Sequence, residues 1–229
     1  MSELPSAEGA LALGILAAVA LVLTLAELRR FREGSGTAHG YWAVGLALVV
    51  VTLLEEAVFY GGLASVPYLR AYLFLVAVLV GALSLGSVQF WTRPLYRRAY
   101  AGYVVAVSGA TGIACAFAPV SLSTIVGGVV TGALPLSIVL TSSLVTFPAA
   151  VVMVVGSLRD AVRTRVWRRL YVASGVIVIS IAGGLYIAAF PISLYFAEFA
   201  GVVLLFLGFG VAPRRSAATL GRPAPAGGE

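Results

Sequence analysis

The chain has 229 residues, of which 61% are apolar and only 10% charged, with a formal net charge of +6. Soluble domains run at about 25% charged residues, so a water-soluble globular fold is excluded. The basic balance does not imply nucleic acid, because its arginines abut the ends of apolar segments, where they set orientation and attract anionic headgroups.

A hydrocarbon core about 30 Å thick needs roughly 20 apolar residues per helix. Segments near 8–28, 40–63, 70–92, 98–118, 137–158, 166–189 and 191–212 meet that length. The sequence therefore predicts an all-α integral membrane bundle of seven transmembrane helices over 1–212. A disordered tail rich in Pro, Gly and Ala follows over 213–229. The first segment reads as a span and not a signal peptide, since Glu3 and Glu8 stand where a basic leader belongs.

Fourteen of the fifteen arginines fall on one side of this pattern. Arg29, Arg30 and Arg32 follow the first segment, and Arg93, Arg97 and Arg98 the third. Arg159, Arg163, Arg165, Arg168 and Arg169 follow the fifth, and Arg214, Arg215 and Arg222 the seventh. Arg70 alone lies opposite. Short arginine-rich loops stay cytoplasmic. The expected protein is a multi-pass cell-membrane protein with its amino terminus outside and its carboxyl terminus in the cytoplasm. Lysine and asparagine are both absent, and a GC-rich prokaryotic genome is the simplest account.

Small residues (Gly81, Ala82, Gly86, Ser87, Gly109, Gly112, Gly175) fall where helices should touch. Tyr41, Trp42, Trp91, Tyr96, Tyr100, Trp167 and Tyr171 read as an aromatic belt at the cytoplasmic interface. Tyr60, Tyr68, Tyr72, Tyr186 and Tyr195 belong nearer the outer one. Residues 119–136 are apolar but too short to span, and Pro119 and Pro135 bound them. An outer loop, a half-helix or a re-entrant turn fits. Next, Thr141, Ser142, Ser143 and Thr146 precede Pro148, which removes a backbone hydrogen bond. Their hydroxyls either satisfy freed carbonyls or wall a cavity.

Four acids lie within apolar segments. Glu27, just ahead of Arg29 and Arg30, reads as an interfacial residue paired with arginine. Glu55, Glu56 and Glu198 fall at similar depth in the outer half of the bilayer on two helices. Ionisable groups there cost several kcal/mol, and they face the bundle interior, a partner or water. Adjacent positions sit about 100° apart on a helix, so Glu55 and Glu56 point different ways. They form either a ligand or proton site, lined by Thr141, Ser142 and Thr146, or protonated glue between helices. Cys115 is a lone, buried thiol. His39, the single histidine, reads as a solvated loop residue ahead of the second helix.

Glu55-Glu56-Ala-Val-Phe59-Tyr60-Gly61 resembles the first motif of the CPBP intramembrane proteases. Tyr60 replaces their arginine, and the later histidines are missing, so protease activity is not expected. One histidine likewise gives no bis-histidine haem and no ordinary zinc or di-iron site. Without lysine there is no retinal Schiff base. SWEET and PQ-loop transporters share the topology but not the Pro-Gln pair. Glu55-Glu56, Arg70-Ala-Tyr72, Leu85-Gly86-Ser87 and Arg93-Pro94 together resemble prokaryotic seven-helix membrane proteins. That resemblance implies the fold and no activity.

Two classes of function follow. One is a small transporter, channel or proton-linked carrier built on the acids. The other is a non-catalytic receptor, sensor or assembly subunit binding a lipid, an apolar ligand or a membrane partner. No metal, cofactor or nucleic acid is expected. The bilayer is the expected partner, with a small molecule or ion as ligand.

Overall fold

The computed structural model describes residues 6–89, 93–126, 129–130, 134–165, 167, 170–187, 200–201, 203–205 and 207–208. Among them the chain is helical apart from one tiny hairpin. The helices are α1 (Ser6–Arg32), α2 (Thr37–Tyr60), α3 (Val66–Val88), α4 (Pro94–Phe117), α5 (Leu136–Thr164) and α6 (Leu170–Ile187). Five of them, α1 to α5, are long and apolar enough to cross a membrane. Most of the expected seventh segment (191–212), including Glu198, lies outside the described residues. So does the tail.

Two tight turns fold the first three helices back on one another. At the end of α1 the Ser35 amide donates to Arg30 O (3.0 Å) and Gly34 to Phe31 O (3.1 Å). At the end of α2 Leu63 donates to Val58 O (3.2 Å) and Gly62 to Phe59 O (3.0 Å). This pairing of carbonyls needs a left-handed residue just past the helix. Gly34 (φ 78°) and Gly62 (φ 75°) provide it, at no Cβ cost. Two starts fall earlier than apolarity suggests. α3 begins at Val66 because Ser65 caps it, accepting from the Tyr68 amide, and Pro67 sits in its first turn. α4 begins at Pro94. Proline is favoured there because its missing N–H has no helical partner to lose.

Successive helices run up and down. The turn between α1 and α2, the end of α3, the start of α4, the end of α5 and the start of α6 share one face, the arginine-rich end. α3 occupies the middle and packs against α2, α4 and α5, while α1 covers the other side of α2, and α6 lies on α5. α3's own sequence permits this position. Gly81 leaves room for Val104 and Val145, and Gly86 for the indole of Trp42; a Cβ at Gly86 would run into that ring. Leu83 similarly fills the space left by Gly45. Gly112 likewise admits Phe74 and Gly175 admits Leu204 and Leu205, whereas Gly109 faces open space.

A buried apolar layer crosses the arginine-rich half. It joins Leu23, Trp42, Leu46, Leu83, Met153, Val172 and Leu205 from five helices and the 200–208 region. A smaller cluster (Cys115, Ala118, Ile138) seals the far ends of α4 and α5 against Leu73 and Phe74 of α3. Outward, α5 exposes a stripe of Leu140, Leu144, Phe147, Val151, Val155, Leu158 and Val162 along its length. A continuous apolar stripe of that kind suits lipid and not water.

Between the end of α4 and the start of α5, the described residues form a loop with a hairpin and no α-helix. Leu122–Thr124 form one 3₁₀ turn, and strands β1 (Ile125–Val126) and β2 (Val129–Val130) pair antiparallel, Ile125 opposite Val130. β2 leans on α2.

Pro148 stays inside a continuous α5. It strands the carbonyl four residues earlier, that of Leu144. The hydroxyl that satisfies this carbonyl comes from α4 and not from α5: Tyr103 Oη donates to Leu144 O at 2.5 Å.

Candidate functional site

Glu55 and Glu56 occupy the last turns of α2, about 7 Å from its end at 1.5 Å per residue. As their spacing requires, they point to different surroundings. Glu56 accepts a hydrogen bond from Tyr72 Oη of α3. Phe59, one turn on, is buried and takes the edges of Tyr68 (5.7 Å) and Tyr72 (5.3 Å). This wedge of rings fixes the α2–α3 contact at that end. Glu55 is 6% exposed, and its Oε2 is buried without a hydrogen-bond partner. A buried polar group left unpaired costs free energy and calls for a proton, an ion or a ligand to account for it.

Two of the three hydroxyls proposed to line the acids are engaged elsewhere. Thr141 Oγ1 donates to Ser137 O (2.8 Å) and Ser142 Oγ to Val139 O (3.2 Å), both within α5. Thr146 is half-buried. α5 packs on α3, α4 and α6, so α3 stands between these hydroxyls and α2. No hydrogen bond among the described residues joins the two groups.

A second polar site lies at the arginine-rich end, where sequence reasoning assigned none. Glu27 is fully buried, at 0% exposure. Arg30 Nη1 lies 2.6 Å from its Oε1, and His39 Nδ1 lies 2.6 Å from its Oε2. The pairing of Glu27 with arginine was expected, but its burial was not. His39 is a correction. It belongs to the first turn of α2, not to a solvated loop, and its side chain is only 17% exposed. Its ring meets that of Trp42 edge to face at 5.4 Å.

The physical reason is the turn at Gly34–Gly36. By reversing the chain within a few residues, it sets the last turns of α1 against the first of α2, so Glu27 and His39 face each other. The signal was legible: an acid seven residues before a glycine turn and a histidine just after it. Trp42 leaves the expected aromatic belt as well. It is 7% exposed and buried against Gly86, whereas Tyr96, Trp167 and Tyr171 remain exposed. Tyr100 turns inward too, its Oη 2.9 Å from Ser84 Oγ on α3.

Arg70, the lone arginine opposite the others, donates from Nη2 to Ala118 O (3.1 Å) and so ties α3 to the end of α4. Among the described residues, no three His, Cys, Asp or Glu side chains converge as metal ligands. Comparison with protein-family models, curated proteins and solved structures finds no match. The class that the fold defines is therefore a helical multi-pass membrane protein.

Proposed function

We propose that the chain crosses the cell membrane seven times, with its amino terminus outside and its carboxyl terminus in the cytoplasm. We further propose that it works as a small proton-linked carrier whose acids face the outer side. Five apolar helices and the one-sided arginines support the first part. The second rests on one observation: Glu55 is buried with Oε2 unpaired, beside Glu56, which is held by Tyr72. Such a carboxyl exchanges a proton for a cationic or proton-bearing ligand when its surroundings open. The apolar layer from Leu23 to Leu205 lies between the acids and the arginine-rich face. It favours a carrier that opens on one side at a time over a continuous channel.

The same layer supports the second reading, a receptor, sensor or assembly subunit with a closed site. Charge displacement separates the two. Reconstituted protein on a solid-supported membrane is given a pH jump on the side of the acids. The carrier reading expects a transient current that Glu55→Gln abolishes. Identical traces from wild type and Glu55→Gln sink the carrier and leave the receptor. Orientation is checked by reporters, one fused after Arg222 and one before Glu8. The first should read cytoplasmic and the second external.

A further inference from the structure

The Glu27–Arg30–His39 cluster is more elaborate than an α1–α2 contact requires, and the acid site does not use it. Glu27 carries one negative charge, and Arg30 balances it at 2.6 Å. The remaining oxygen lies 2.6 Å from His39 Nδ1. A carboxylate oxygen only accepts, so Nδ1 must bear the proton. Charge balance is complete with a neutral ring. The tautomer is thereby set, and Nε2 is left bare. No hydrogen bond reaches Nε2 among the described residues, and Nε2 is not one of the buried unpaired atoms. With 17% of the side chain exposed, Nε2 keeps contact with solvent. A carboxylate that fixes one ring nitrogen so that the other can take a proton is the ordinary way to prepare histidine for proton transfer.

We propose that His39 is a second proton-binding site, on the arginine-rich side, that exchanges protons through Nε2 while Glu27 holds Nδ1. A proton arriving from water on that face forms the N–H bond at Nε2, and the imidazolium keeps its bond to Glu27; leaving reverses the step. Among the described residues, facing groups are few. α1 contributes Glu27 and Arg30, and the nearby end of α3 contributes Gln89, which is uncharged and bonded to Thr37 at 3.3 Å. Arg29 and Glu33 pair with each other at the exposed surface.

His39 and Glu55 lie on the same helix, 16 residues or about 24 Å apart, with the apolar layer between them. One helix would then carry a proton site on either side of a seal. This role in transport rests on the carrier reading; the proton site itself does not.

The chain holds a single histidine, so ¹⁵N-histidine labelling of the full protein in nanodiscs reports one imidazole. The expected spectrum shows Nδ1 protonated and Nε2 bare at alkaline pH, with both protonated on acidification. Glu27→Gln inverts that tautomer, because its one amide oxygen serves Arg30 and its NH2 group then donates to Nδ1, whereas Glu27→Leu releases it to a mixture. A bare Nδ1 in the wild type, or a ring that stays neutral wherever the protein remains folded, overturns the proposal. A second measurement tests the link to transport. A pH jump on the arginine-rich side should move charge in the wild type and at least tenfold less in His39→Gln, which should still respond to a jump from the acid side. Equal response to both jumps in His39→Gln overturns the coupling. No current in either protein removes the carrier reading and leaves the NMR result standing.

Discussion

The two halves of the bundle treat their buried glutamates in opposite ways. At the arginine-rich end Glu27 is more deeply buried than Glu55, yet both its oxygens are engaged, by Arg30 and by His39. At the other end Glu56 has Tyr72, and Glu55 Oε2 has nothing. Packing follows the same division. Trp42 is locked between Gly86 and the apolar layer, whereas the far ends of α4 and α5 are covered by a short hairpin loop and a small cluster. The lesson is that burial alone does not identify a functional acid. What sets Glu55 apart from Glu27 and Glu56 is a carboxyl oxygen that the surrounding helices leave unsatisfied.

The largest expected effect is at Glu27. Glu27→Leu removes a buried carboxylate shared by Arg30 and His39 and should lower stability by about 3–5 kcal/mol, as breaking buried pairs does. Glu55→Leu strands no hydrogen-bond partner and should leave the unfolding midpoint in detergent unchanged or raised. Equal losses in the two variants would erase the difference between the halves.

Next in size is the packing around Trp42. Gly86→Ala forces its Cβ against the indole and should cost about 1–3 kcal/mol. Gly109→Ala, facing open space, should cost nothing. Near-equal midpoints for the two would mean that the indole moves aside freely and that the layer is no seal.

The smallest effect concerns the Pro148 region. Tyr103→Phe leaves Leu144 O unpaired and should cost about 1 kcal/mol. In a Pro148→Ala background the restored amide serves that carbonyl, so the same change should cost close to nothing. A cycle with no coupling between the two sites would show that the Tyr103 bond is incidental.

Much of this was legible without a structure. Apolar length and the arginine asymmetry define where the helices lie and which ends they share, because transfer of a segment into lipid is a sum over its own residues. Gly34 and Gly62 mark the reversals, and Ser65-Val-Pro67 marks a helix start; these are local backbone chemistry. Glu55 and Glu56 stood out because a charge in an apolar run is costly whatever surrounds it. What the sequence could not determine is which neighbour answers each polar group. Tyr72 and Trp42 look alike as belt residues, but α3 turns one towards Glu56 and Gly86 admits the other to the core. Thr141 and Ser142 looked available for a site, yet their own helix occupies them, and a tyrosine from α4 serves the carbonyl that Pro148 frees. His39 passed for a loop residue until the α1–α2 turn brought Glu27 within 2.6 Å. Satisfaction of a hydrogen bond depends on helix rotation and on residues distant in sequence, so only the tertiary structure decides it.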